Sequence, residues 1–288
     1  MKIEFYLDFD PIIFCLNKSE MTLFFSFCCL SICFIPSMML FRRLIVFDPL
    51  RIILFVLGAF FWLLSLLFTS LLWTISTNLI LTLIFSVFTQ EIARAQYYFL
   101  LYKAQGGLTK LVSDGTDVSG FRLMFSSRHV LAIVCGLGMG VMASLFLLTN
   151  ILADYSDDGV VGLPSDIFDN ESAINIAELS YKDAYFPIYY SLSCAFLTLF
   201  NVLWTIISWD GYHKYFHNTA SNLLVFSTFL ITFIFHGTNT LLSIWQRSSP
   251  ILVLIFQVIL LFITSFYSAC IIKNYKFLIF RRRNTADL

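Results

Sequence analysis

Three nearly consecutive polar residues stand out as candidates for chemistry, because they interrupt an apolar stretch of the sequence. They are Gln90, Glu91 and Arg94. On a helix, the spacing of three places Glu91 and Arg94 on one face, where each partly neutralises the other. An ionisable pair in such a stretch must face protein or a water-filled cavity. These residues form a polar cavity, or Glu91 is a catalytic carboxylate, or Glu91 and Arg94 are a buried ion pair that fixes helix register. We prefer the ion pair, because no further chemical group accompanies it.

The four histidines do not indicate a metal or catalytic site. His213 and His217 have the spacing of two metal ligands on a helix, but no third ligand is evident. His129 opens one apolar stretch and His236 falls within another. The sequence also lacks a Gly-x-Ser-x-Gly elbow, a pair of intramembrane aspartates and a phosphate-binding loop. We therefore expect no catalytic residue, metal or cofactor.

Composition indicates an integral membrane protein. The chain has 288 residues, of which 59% are hydrophobic and 12% charged, whereas about one quarter of a typical globular domain is charged. A net charge of zero argues against nucleic acid as a partner. The seven cysteines contain no C-x-x-C pair, which argues against a zinc site or a disulfide framework.

The apolar stretches predict an all-α, polytopic membrane protein with seven transmembrane helices. Each stretch of about 20 residues can cross the roughly 30 Å hydrocarbon core of a bilayer. The helices are expected near residues 21–41, 52–73, 79–102, 129–150, 187–208, 221–243 and 250–272. The transmembrane domain is thus residues 21–272, and a basic tail, 273–288, follows. Residues 1–20 are either a short lumenal arm or an extension from an unused upstream start.

The positive charges predict the orientation of this bundle. Seven crossings place the termini on opposite sides, and cytosolic loops carry the excess of Lys and Arg. Of the 18 such residues, only Lys2, Lys18, Lys182 and Arg247 would lie on the side of the N-terminus. We therefore expect a lumenal N-terminus and a cytosolic C-terminus.

The longest loop, about 151–186, is acidic and would be lumenal. It is either a partner-facing surface or simply a solvated acidic loop. Asn170-Glu171-Ser172 within it is a glycosylation sequon, whose occupancy the sequence leaves open.

Small residues in the fourth predicted helix form a stripe. Gly136, Gly140 and Ser144 are four residues apart and share one face. Small residues at this spacing let a neighbouring helix backbone approach closely. We prefer such helix docking to the alternative that the glycines only loosen the packing.

Several blocks of the sequence resemble one family. The segment from Asp48-Pro49-Leu50-Arg51 through Phe60-Phe61-Trp62 is similar to the second helix of the anterior-pharynx-defective (Aph) subunit of gamma-secretase, especially nematode members. Further similar blocks follow in family order: Gln90-Glu91 with Arg94; Gly136 and Gly140; 150–154 with 159–163; and 195–198 with Trp204 and Asp210.

The resemblance implies a non-catalytic scaffold with seven transmembrane helices. Its implied partners are presenilin, which supplies the catalytic aspartates, nicastrin and the small presenilin-enhancer subunit. The complex would process type I membrane proteins such as Notch in the endoplasmic reticulum, Golgi and plasma membrane. The resemblance also gives Gly136 and Gly140 a role in assembly, with Ser144 where a third small residue is usual.

Two histidines usual in the family are absent here. The resemblance places Asn201 and Thr228 at their positions, where they would line a polar cavity with Gln90, Glu91 and Arg94. We expect these two residues to serve as hydrogen-bonding groups. His236 follows Thr228 by eight residues, on roughly the same helix face, and we do not expect it to take the place of either histidine.

Two other functions compete with the scaffold. A seven-helix receptor would share the topology, but no Asp-Arg-Tyr ends the third helix and no Asn-Pro-x-x-Tyr ends the seventh. An intramembrane protease would use Glu91, but no second catalytic group accompanies it.

Overall fold

A computed structural model describes residues 18–76, 78–113, 128–155, 185–217 and 221–286. The predicted N-terminal segment up to residue 17, most of the acidic loop and its sequon at Asn170 lie outside the described residues.

The described residues form seven α-helices and no β-strand, which confirms the all-α class. The helices are α1 (Lys18–Leu44), α2 (Pro49–Ile75), α3 (Leu79–Ser113), α4 (Arg128–Tyr155), α5 (Phe186–Phe216), α6 (Asn222–Leu242) and α7 (Pro250–Ala286). Several extend beyond the predicted apolar stretches. In particular, α3 and α7 continue past residues 102 and 272, because the polar residues that follow still favour helix although they no longer favour lipid.

Six of the described helices contain a segment long and apolar enough to cross a membrane. These segments are Phe24–Leu44, Pro49–Ile75, His129–Ala153, Phe186–Phe216, Val225–Trp245 and Pro250–Lys273. The exception is α3, in which Gln90, Glu91, Arg94 and Gln96 interrupt the apolar run.

A tight turn joins α1 to α2 and is explained by local chemistry. Asp48 caps α2 by accepting a hydrogen bond from the Leu50 backbone amide (3.1 Å), and Pro49 occupies the first helical turn. Arg51 lies 3.0 Å from the Asp48 carboxylate and donates to the Leu44 carbonyl at the end of α1 (2.7 Å). The same block that resembles the family therefore sets how α1 enters α2.

Helices α4 and α5 form the centre of the bundle. They pack along each other more extensively than any other pair, and α2 covers α4 while α7 and α6 cover α5. Helix α3 contacts α2, α5 and α6. Glu91 and Arg94 face α5 and α6, and this arrangement creates the site described next.

Candidate functional site

The centre of the site is an ion pair buried within the bundle. Glu91 and Arg94 of α3 are both fully buried, and the Arg94 guanidinium donates to Glu91 Oε1. Their spacing of three places them on the same side of α3. Burying a single unpaired charge costs free energy, and the opposite charges of Glu91 and Arg94 reduce that cost for each other.

Asn201 connects this pair to α5. Arg94 Nη2 donates to Asn201 Oδ1 over 3.1 Å, and Asn201 Nδ2 donates to the Leu197 carbonyl one turn earlier in its own helix (3.0 Å). The amide thus uses both its acceptor and its donor in a buried position. Sequence analysis placed Asn201 with Glu91 and Arg94 through the family resemblance, and the structure brings these three residues together.

His236 of α6 joins the same cluster, a contact that sequence analysis did not expect. Its Nδ1 lies 2.8 Å from Glu91 Oε1 and donates to the carboxylate. Its ring stacks on Trp204 of α5 with centroids 4.1 Å apart. Residues 228 and 236 share a helix face, but they are about 12 Å apart along the axis, at 1.5 Å per residue. That difference in depth lets His236, and not residue 228, meet Glu91.

Thr228 is not part of this cluster, contrary to the prediction. Its hydroxyl donates to the Val225 carbonyl (2.7 Å), and its side chain packs against Gly211 of α5. It does not line the cavity beside Glu91. The reason is again depth, because Thr228 lies two turns before His236 on α6.

A cavity of about 280 Å³ adjoins the cluster and is lined by both polar and apolar groups. Gln90 lines it and donates to Ser86 Oγ (3.1 Å). Along its wall, Ser193 Oγ donates to Gln257 Oε1 (2.8 Å), and Gln257 Nε2 donates to Asn239 Oδ1 (3.2 Å). Sequence analysis missed this second network because each of the three residues is isolated in its own apolar helix.

The chemistry of this arrangement is limited. Glu91 Oε1 already accepts from Arg94 and His236, whereas Oε2 is buried without a hydrogen-bond partner among the described residues. No carboxylate is among the residues that line the cavity. Among the described residues, no group of three or more His, Cys, Asp or Glu side chains could hold a metal ion. The cluster is therefore suited to joining α3, α5 and α6 through hydrogen bonds.

The small-residue stripe of α4 lies directly against α5. A Cβ atom built on Gly136 would meet the Asn201 carbonyl oxygen at 2.7 Å, and one on Gly140 would meet the Thr198 Cα at 2.7 Å. Ser144 continues the same face, since its hydroxyl donates to the Cys194 carbonyl (2.7 Å). The structure thus places all three residues in a contact within the chain.

Two further glycines, which sequence analysis did not single out, bring α4 close to α2. A Cβ atom on Gly138 would collide with the Phe55 carbonyl oxygen, and one on Gly58 would lie 2.7 Å from the Cys135 carbonyl oxygen. Helix α4 therefore approaches a neighbouring backbone on two sides. The sequence did contain a sign of this second contact. Gly136 and Gly138 are two residues apart, and residues at that spacing on a helix face different directions, so they can contact two different neighbouring helices.

Comparisons with known proteins agree with this architecture. The family model described as "Aph-1 protein" matches residues 24–274. The gamma-secretase subunit aph-1 of Caenorhabditis elegans is 46% identical over 188 residues, which cover 63% of this chain and 59% of that protein. A putative gamma-secretase subunit APH-1C of mouse is 34% identical over 266 residues, which cover 86% and 90%. The human gamma-secretase subunit APH-1B is 35% identical over 201 residues, which cover 65% and 69%.

Proposed function

Because the chain belongs to the Aph-1 family, we propose that it is a subunit of a gamma-secretase complex and that it acts as a non-catalytic scaffold. The relatives carry the name of gamma-secretase subunit. Their name supports membership of the complex, and the polar cluster supports the scaffold role.

The observation that carries the scaffold role is that Glu91 is fully buried and is bonded through Oε1 to Arg94 and His236. A catalytic carboxylate must be open to substrate, whereas Glu91 Oε1 accepts hydrogen bonds from Arg94 and His236 and the residue is completely buried. A protease that uses Glu91 is therefore disfavoured. Removing one member of such a buried pair is strongly destabilising, while an intact pair favours one arrangement of helices.

We propose that α3 crosses the membrane with the other six helices, to give seven crossings. Its outer face exposes large apolar side chains that suit lipid or a partner helix, among them Ile80, Ile84 and Phe88. Its polar residues Glu91 and Arg94 face α5 and α6, as expected of ionisable groups at membrane depth. With seven crossings and the distribution of Lys and Arg, the N-terminus is lumenal and the C-terminus is cytosolic.

The proposed partners are presenilin, nicastrin and the presenilin-enhancer subunit, within the lipid bilayer of the endoplasmic reticulum, Golgi and plasma membrane. Presenilin would provide the catalytic aspartates for cleavage of type I membrane proteins such as Notch. The acidic residues of loop 151–186 would face the lumen beside the partners' lumenal parts, with Asn170 as a glycosylation acceptor.

The contact between α4 and α5 would support assembly indirectly. Gly136, Gly140 and Ser144 set the distance between the two central helices, and every other helix packs around that pair or its neighbours. A partner that recognises the outer surface of the bundle therefore depends on this inner contact.

Purification in mild detergent, followed by identification of the co-purifying chains, tests the function. Wild-type protein should bring presenilin and nicastrin with it. Gly136→Leu and Gly140→Leu should insert normally but yield less complex, because a bulky side chain forces α4 and α5 apart. Gly107→Leu is the matched control, since nothing lies within 4 Å of a Cβ atom at that position. A chain that co-purifies with neither subunit would refute the proposal.

A further inference from the structure

A groove of about 440 Å³ runs along the outer surface of the bundle between α2 and α3. Its walls are mostly large apolar side chains, which include Phe68 and Leu71 of α2 and Phe88 and Ile92 of α3. All four are exposed. No helix among the described residues covers the groove, so in a membrane either lipid or another protein must fill it.

One residue of the groove is unsuited to lipid. Gln96 is exposed on α3 and lines the groove. The neighbouring turns of α3 expose only apolar side chains at this surface, Ile92 before it and Phe99 and Leu100 after it. Within the part of the chain that the structure describes, the Gln96 amide has no hydrogen-bond partner.

With α3 crossing the membrane as proposed, the depth of Gln96 places this amide inside the hydrocarbon region. The adjacent Tyr97 stacks on Phe61 with ring centroids 5.2 Å apart, and Phe61 lies near the middle of α2 (Pro49–Ile75). The nearest charged residue toward the end of the span is Lys103, which is about 10 Å farther along the helix axis at 1.5 Å per residue. A glutamine side chain is shorter than that distance, so Gln96 does not reach the level of Lys103.

The other polar groups in the groove are already satisfied. The Thr89 hydroxyl lies 3.0 Å from the Thr69 hydroxyl across the two helices, and Ser65 donates to the Trp62 carbonyl (2.6 Å). Gln96 is therefore the one lining residue whose polar group is both exposed and unpaired in the described structure. An unpaired amide in hydrocarbon is unfavourable, and lipid tails cannot supply the missing hydrogen bonds.

We propose that the groove between α2 and α3 is the docking site for a transmembrane helix of another subunit. This inference rests on the proposed function, because it assigns the groove to a partner within the complex. The partner helix would present apolar side chains to Phe68, Phe88 and Ile92. At the depth of Gln96 it would present an amide or hydroxyl group, since polar side chains of these types hydrogen-bond between transmembrane helices.

The variant Gln96→Leu distinguishes a docking site from a lipid-facing surface, because the two alternatives predict different recovery of partner chains. If Gln96 faced lipid, Gln96→Leu would leave the complex intact and would raise the chain's own stability. If it faces a partner helix, Gln96→Leu should lower the recovery of partner chains several-fold, while the isolated chain is unchanged or more stable. Ser70→Ala is the matched control, because Ser70 is also exposed but its hydroxyl bonds to the Leu67 carbonyl of its own helix (2.8 Å).

A crosslinking experiment provides a second and independent measurement. Phe88 is replaced by a photoreactive phenylalanine analogue in intact membranes, and adducts are mapped by mass spectrometry. An adduct within a transmembrane helix of another subunit of the complex supports the proposal, and an adduct only with lipid, with this chain or with a protein outside the complex overturns it. The groove assignment would fail while the proposed function stands under two results together. Wild-type chain and Gln96→Leu would recover gamma-secretase subunits equally, and the photoreactive residue at position 88 would label only lipid. If wild-type chain recovers none of these subunits, the proposed function fails, and the assignment of the groove to a subunit fails with it.

Discussion

Adding a single methyl group at Gly140 should destabilise the bundle, although alanine is the better helix former. The added Cβ would lie 2.7 Å from the Thr198 Cα and 2.9 Å from the Thr198 carbonyl oxygen. Carbon atoms prefer a separation of about 3.5–4.0 Å, so α4 and α5 must separate by about 1 Å. Neither obstructing atom can rotate away, because both belong to the backbone of α5.

The magnitude follows from two opposing contributions. Overpacking of a well-packed contact typically costs about 1–3 kcal/mol, and an obstruction by backbone suggests the upper half of that range. The change from Gly to Ala in a helix returns at most about 1 kcal/mol. We therefore expect Gly140→Ala to lower the free energy of unfolding by about 1–2 kcal/mol.

Gly237 provides the matched control. It also lies within a helix, α6, but nothing is within 4 Å of a Cβ atom built there. Gly237→Ala should therefore keep only the gain from helix propensity, up to about 1 kcal/mol. The two alanine variants should differ by about 2–3 kcal/mol, which is roughly a 30- to 150-fold difference in the unfolding equilibrium constant.

The assay is unfolding of the purified chain in detergent by increasing SDS, followed by circular dichroism. The reasoning predicts opposite signs for the two variants relative to wild type. If Gly140→Ala were as stable as wild type or more stable, the close backbone contact between α4 and α5 could not be a determinant of the fold.

Three further predictions concern the polar cluster and Thr228. Arg94→Ala should destabilise the bundle by about 3–5 kcal/mol, because it strands the buried Glu91 carboxylate; the double change Glu91→Gln with Arg94→Gln should cost less, and a lower unfolding midpoint for the double variant would contradict the ion-pair interpretation. His236→Phe retains an aromatic ring for stacking but removes the hydrogen bond to Glu91, so it should cost about 1.5–3 kcal/mol, and unchanged SDS resistance would show that this bond contributes nothing. Thr228→Val should change stability by less than about 0.5 kcal/mol, because the hydroxyl bonds only to its own helix; a large loss of stability would mean that Thr228 belongs to the cluster after all.

The wider cavity network could not be predicted, although its central pair could. Glu91 and Arg94 are neighbours on one helix, so their pairing follows from helical periodicity alone. The partners His236 and Asn201 belong to two other helices, and their approach depends on how far each helix is displaced along its axis. Periodicity gives the face of a helix on which a residue lies, but it does not give its depth relative to a neighbouring helix. The family resemblance assigned position 228, which shares a helix face with His236 but lies about 12 Å from it along the axis.

The sequence by itself determined the local features of this protein. Apolar runs long enough to cross a bilayer dictated the helices, because an unpaired backbone in lipid is too costly for any other local structure. Asp48 and Pro49 specified the start of α2, and the ordered blocks of residues specified the family. Each of these features depends on residues that are adjacent or within a few turns of one another.

Only the tertiary structure decided which surfaces of those helices meet. Gly138 and Gly58 became contacts because α2 lies against α4, and Gln96 became an unpaired amide because no helix among the described residues covers the outer side of α2 and α3. In a membrane protein these outcomes are difficult to read from the sequence, since the side that faces lipid and the side that faces protein are both apolar. The distinction then depends on shape and on single polar groups, whose partners lie on helices far away in the sequence.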